Sequence, residues 1–146
     1  MKKTLQYSFL QISLIAITVI LFTGCSKDTA SADINLSYNM LADKTWYLEY
    51  TQTTNGTVTT QKTYVGQSTY FINFLKNLST TDSDGLSGTY TVEKMNNQLQ
   101  IHVQAKTTGG NVIDYVYNVE SIGAKNLIMN FTVNNVKTRY YYSTQK

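Results

Sequence analysis

The chain has 146 residues, one cysteine, no proline, twelve tyrosines and a formal charge of +3. That length supports one small domain, and a lone cysteine excludes a disulfide-stapled framework. The modest charge, without a basic cluster, excludes an electrostatic nucleic-acid binder.

Lys2 and Lys3 begin the chain, and Leu10, Ile12, Leu14, Ile15, Ala16, Ile17, Val19, Ile20, Leu21 and Phe22 make an almost unbroken apolar run. A basic start, a short apolar stretch and small residues after it are the pattern of a secretory signal. The run is shorter than the roughly 20 residues of a membrane span. Thr23-Gly24-Cys25 after this run resembles a bacterial lipobox, with Phe22 where leucine is usual. The resemblance implies a signal peptide over residues 1–24 and diacylglycerol on the Cys25 thiol. It also implies cleavage before Cys25 and acylation of the new amino group by a chain such as palmitate. Two or three chains would hold the protein to the bilayer, since each buried methylene contributes about 0.8 kcal/mol and one chain binds only marginally. The implied address is the cell envelope, as an outer-membrane lipoprotein on the periplasmic face or the cell surface. Lys2 and Lys3 would leave with the signal, so ten basic residues would face nine acidic ones in the mature chain.

Residues 25–34 are the acylated cysteine and a small, polar run that reads as a flexible tether. Within it Ser26-Lys27-Asp28 resembles a shortened form of the charged signal that exports Bacteroidota lipoproteins to the cell surface. Asp28-Thr29-Ala30 resembles the short O-glycosylation sequon of the same phylum, with Thr29 as the acceptor. Read without the resemblance, the same run is a solvated linker. Leu36, Met40 and Leu41 then recur at helical spacing, with Asn35 or Ser37 available as a cap. So short a helix needs support, and closing one mouth of a barrel would supply it.

Eight strand-like segments follow. Residues 45–52 alternate Trp46, Leu48 and Tyr50 against Tyr47, Glu49 and Thr51, the period of a half-buried strand. Asn55-Gly56 is a hairpin turn signal, followed by a threonine-rich strand over residues 58–64. Residues 69–75 set Tyr70, Ile72 and Phe74 against Phe71, Asn73 and Leu75, so both faces are apolar. The polar residues 76–85 read as the longest loop. Residues 86–95 place Gly88, Tyr90 and Val92 on one face. After Asn96-Asn97, Leu99, Ile101, Val103 and Ala105 alternate against Gln98, Gln100, His102 and Gln104. Ile113, Tyr115, Tyr117 and Val119 oppose Asp114, Val116, Asn118 and Glu120. Leu127, Met129 and Phe131 make the seventh strand. After Asn134-Asn135, Thr138, Tyr140 and Tyr142 oppose Lys137, Arg139 and Tyr141.

Eight consecutive strands with mostly short turns predict an all-β fold, an eight-stranded antiparallel up-and-down barrel over residues 35–146 behind a short helical lid. Closure would remove the exposed edges of an open sheet. The lipobox, the apolar element before the first strand, Trp46 early in that strand and the aromatic last strand together resemble the small lipocalin-like lipoproteins of Bacteroidota. Those often carry Gly-x-Trp where this chain has Lys44-Thr45-Trp46. The resemblance implies the barrel and assigns no ligand. An Ig-like sandwich adhesin is the rival fold, and it requires a long connection between sheets, with residues 76–85 as its one source.

No catalytic constellation emerges. His102 is the only histidine and sits on the polar face of its strand. No Gly-x-Ser-x-Gly elbow presents a nucleophile. Asp82 and Asp84 lack the spacing and terminal glutamate of an EF-hand. Glu49, Glu93, Asp114 and Glu120 are scattered, mostly on polar faces. The expectation is a non-enzymatic protein without metal or cofactor. The aromatic residues are more informative. Trp46, Tyr50, Tyr70, Phe74, Tyr90, Tyr115, Tyr117, Tyr140 and Tyr142 would line an interior, either as core or as the wall of a site for a small apolar or glycan-like ligand. A second expectation is an accessory or structural role, through contact with another envelope protein.

Overall fold

The computed structural model describes residues 29–64 and 69–145, with side chains from residue 34 onward. The signal segment and Cys25 lie outside the described residues. The fold is that of the compact unit Ala32–Lys146. Helix α1 (Thr29–Leu41) precedes nine strands: β1 (Lys44–Asn55), β2 (Val58–Thr63), β3 (Phe71–Phe74), β4 (Ser79–Asp82), β5 (Ser87–Met95), β6 (Gln98–Lys106), β7 (Val112–Ile122), β8 (Asn126–Val133) and β9 (Val136–Ser143). The helix begins inside the stretch read as a tether.

Every pairing is antiparallel, and the sheet closes where β9 meets β1, with Leu48 opposite Tyr142 and Thr51 opposite Tyr140. Closure makes this an eight-stranded up-and-down barrel and excludes the two-sheet sandwich. The eight barrel strands are not the eight segments legible in the sequence. β1 is long enough to carry two strands in line on one edge. Its first residues pair with β3, Trp46 opposite Ile72, and its last with β2, Asn55 opposite Val58. β2 is an exposed extension beyond the barrel. The missing wall strand is β4, inside the predicted loop. Its sequence, Ser79-Thr80-Thr81-Asp82, carries no apolar alternation. Pairing to β3 and β5 and a buried threonine make it a strand: the Thr80 hydroxyl is fully buried and donates to the Asn73 carbonyl at 2.9 Å.

Turn chemistry sets the registers. Asn96-Asn97 and Asn134-Asn135 both have positive φ and join directly paired strands, the type I′ geometry that matches strand twist. The first hairpin closes one residue later than Asn55-Gly56 signals. Asn55 pairs with Val58, so Gly56-Thr57 is the loop, and glycine takes its positive-φ first position. Gly88 serves a different need. A Cβ there would lie 2.1 Å from the Gln104 carbonyl oxygen, so only glycine lets β5 lie this close to β6.

The barrel core at the lid end is tightly packed, and beside it a groove of about 390 Å³ runs between Leu36 and Met40 of α1 and Leu99, Val119 and Ile122 of the barrel. Trp46, Phe74, Tyr90, Ile101, Val103, Leu127 and Met129 are essentially inaccessible, and Leu41 from α1 joins them. Leu36, expected on the packed face, is 56% exposed; Tyr38 takes that role, its ring 6.4 Å from that of Tyr90. The helix ends at Leu41, and the left-handed conformation of Asp43 turns the chain into β1. There the Asp43 carboxylate accepts the Lys76 amide at 3.0 Å and pairs with the Lys76 ammonium at 3.1 Å. These contacts hold the Asp43 carboxyl below the usual range, the backbone hydrogen bond being the largest cause.

Candidate functional site

The opposite end of the barrel is hollow. A cavity of about 350 Å³ opens between β1, β3, β7 and β9 and the turn after β4. Its wall is aromatic: Tyr70 before β3, Tyr115 and Tyr117 on β7, and Tyr140 and Tyr142 on β9, with Leu48 and Ile113 between them. Strand phase puts them there. Tyr115 and Tyr117 point inward like Val119 on the same strand, and Tyr142 and Tyr140 lie opposite Leu48 and Thr51 of β1.

The rings support one another. Tyr115 and Tyr117 are 5.9 Å apart, Tyr117 and Tyr140 meet edge to face at 6.1 Å, and Tyr140 stacks on Tyr142 at 6.2 Å. Phe131 of β8 lies within 5.7 Å of Tyr115 and 5.9 Å of Tyr140, closing the aromatic arc. Such pairs stabilise one another beyond simple burial and fix ring orientation. The hydroxyls are not used in this way. Among the described residues, those of Tyr70, Tyr115, Tyr117, Tyr140 and Tyr142 have no protein hydrogen-bond partner, and no sealed side-chain oxygen or nitrogen is left unpaired. These hydroxyls are therefore accessible to water or a ligand.

One carboxylate faces the same space. Asp82 lies opposite Ile72 in the β3–β4 pair and lines the cavity, with Asp84 beside it at the rim. The Asp82 Oδ1 atom accepts the amides of Asp84 and Leu86, both at 2.9 Å, which shapes the turn into β5. Burial raises the pKa of Tyr117, Tyr140 and Tyr142, pushing Tyr140 up to about 12. Neighbouring tyrosines add to this in all three, and the charge of Asp82 adds to it for Tyr117 and Tyr142. Tyr117, Tyr140 and Tyr142 are thus neutral donors and acceptors at any physiological pH.

The nine aromatic residues singled out from sequence separate into three groups. Tyr70, Tyr115, Tyr117, Tyr140 and Tyr142 meet in the cup. Trp46, Phe74 and Tyr90 form the solid floor beneath it, with the Trp46 indole donating to the Leu41 carbonyl and the Tyr90 hydroxyl to that of Leu75. Tyr50 lies elsewhere. A bulge between Leu48 and Tyr50 reverses the alternation of β1, so Tyr50 stacks on Tyr141 at 4.1 Å on the outer face. Periodicity assigned it to the Trp46 face because a bulge leaves no mark on the sequence.

Asp82, Ser83, Leu86 and Thr107 also line the cup, the first two from the polar stretch 76–85 whose composition predicts a loop. The signal for Asp82 was its spacing from Thr80, legible only once β4 is known to be a strand. His102 is paired with Asp114 on the outer wall, away from the cup. Glu120 meets Lys137 and Arg139 there, both at 2.9 Å. Among the described residues, no group of three or more His, Cys, Asp or Glu converges, and no helix is long and apolar enough to cross a membrane. No family model, curated protein or solved structure matches the chain.

Proposed function

We propose that this protein is a membrane-anchored, non-enzymatic lipoprotein whose barrel binds a small ligand in the tyrosine cup. The observation that carries the binding reading is the half-hollow interior. A barrel built only as a scaffold gains stability by filling its whole interior, because unfilled space forfeits dispersion contacts. Here the core residues at the lid end are inaccessible, while the other end keeps about 350 Å³ lined by rings whose hydroxyls have no partner among the described residues. That volume suits a single-ring ligand or a short apolar chain. Ring faces accept an apolar or sugar-like face, and the hydroxyls fix its orientation.

The anchoring reading rests on the lipobox resemblance at Cys25. Acylation there would hold the barrel at the outer membrane through its N-terminal side. Native mass spectrometry of the protein extracted from its own envelope, beside an Ile113→Trp variant that plugs the cup, tests both halves together. The expected result is a cysteine-linked acyl mass on both proteins and a bound small molecule on the wild type alone. A wild-type protein without a bound species removes the support for ligand binding. An unmodified Cys25 removes the anchor.

A further inference from the structure

We infer that the cup selects a positively charged ligand, an organic amine or ammonium group carried on a ring or short chain. The inference rests on the binding reading above and narrows it. Three features of the cup converge on a cation. First, five tyrosine rings surround the space, and the faces of aromatic rings carry the negative lobe of their quadrupole. Second, the formal charge in the wall is of one sign. Asp82 faces the cavity and Asp84 stands at its rim, while no lysine or arginine lines it. Third, the Asp82 carboxylate spends Oδ1 on two backbone amides, and among the described residues no cation pairs with it.

Two carboxylates outside the cup are paired within the chain. Asp43 is paired with Lys76, and Glu120 with Lys137 and Arg139. Among the described residues no such partner meets the cup carboxylate. A carboxylate beside low-dielectric aromatic walls attracts a cation more strongly than the same group in open water. An anion meets Asp82, Asp84 and the tyrosine faces together and is repelled. A neutral ring gains stacking and hydroxyl contacts but neither charge contribution. Tyrosinate formation at Tyr117, Tyr140 and Tyr142 does not interfere, since burial keeps these hydroxyls protonated.

Three probes of one shape but different charge test this: phenethylammonium, phenethyl alcohol and phenylacetate, each titrated into the protein and followed by NMR chemical shifts. The cation is expected to bind about tenfold more tightly than the alcohol and the anion most weakly. The preference should shrink as salt is added. In Asp82→Asn, which retains an Oδ1 acceptor for the turn, the cation-to-alcohol ratio is expected to fall toward one. Asp84→Asn leaves that turn acceptor in place and is expected to lower the ratio by roughly threefold, as suits a more exposed charge. Equal or tighter binding of the alcohol to the wild type overturns the charge selection while leaving the cup as a site, as does a ratio unchanged in both variants. Failure of all three probes to bind overturns the cup itself as a binding site.

Discussion

The two ends of this barrel use the same residue type for opposite purposes. At the lid end Tyr90 is buried, packs edge to face on Phe74 at 4.9 Å, and donates its hydroxyl to the Leu75 carbonyl. At the open end Tyr140 and Tyr142 pack ring on ring, and among the described residues their hydroxyls have no partner. The floor spends every polar atom on the fold: the Trp46 indole on Leu41, the Thr80 hydroxyl on Asn73, the Tyr90 phenol on Leu75. The cup keeps its polar atoms available. A tyrosine in a barrel interior is therefore not evidence of a site by itself. What distinguishes lining from core is whether its hydroxyl has already been satisfied by the chain.

This difference between floor and cup can be broken at several points. The largest effect is expected from Trp46→Ala. It removes a fully buried ring and leaves the Leu41 carbonyl without its donor. A loss of about 3–5 kcal/mol is expected from the cavity alone, read by urea denaturation. A loss under about 1 kcal/mol would mean that the floor is not the stabilising half.

Tyr140→Leu should be milder. It removes ring contacts to Tyr117, Phe131 and Tyr142 but no hydrogen bond. The expected cost is about 0.5–1.5 kcal/mol beyond the change in buried area. A cost equal to that of Trp46→Ala would erase the distinction between packed and lining aromatics.

The gentlest probe is alkaline pH. Tyr140 titrates near 10 in the unfolded chain and is pushed up to about 12 in the fold by burial. Between those values the unfolded state has lost a proton that the native state keeps, so stability falls as pH rises. Below pH 10 the contribution is fully present. Denaturation midpoints should stay level up to about pH 10 and decline toward pH 12, with tyrosinate absorbance rising late. Full ionisation of every tyrosine near pH 10 in the folded protein would show that the cup is as wet as the surface.

Much of the fold was legible in the residues. β6 was readable because Leu99, Ile101, Val103 and Ala105 alternate without interruption, and all but Leu99 are buried in the fold. The asparagine pairs marked two hairpins because few other residues tolerate positive φ at both central positions. The cup was legible in part. Tyr115, Tyr117, Tyr140 and Tyr142 follow regular alternation on strands without a break before them. Leu36 and Tyr38 exchanged roles in the lid because helical spacing defines a stripe but not the direction from which the barrel meets it.

By itself the sequence determined the fold class, the inward faces of most strands and the turns between them. Local backbone preference and side-chain period decide these, and both are written along the chain. Tertiary structure alone decided three things. It made a wall strand of Ser79–Asp82, because pairing on both edges compensates for a run with no apolar period. It turned Tyr50 outward through the bulge after Leu48. And it set Asp82 among the cup tyrosines, since these residues lie far apart in sequence and meet only when β9 closes on β1. The division into a filled floor and an open cup follows from the same closure. Whether an inward ring finds a carbonyl or a cavity depends on what the other strands bring to its level.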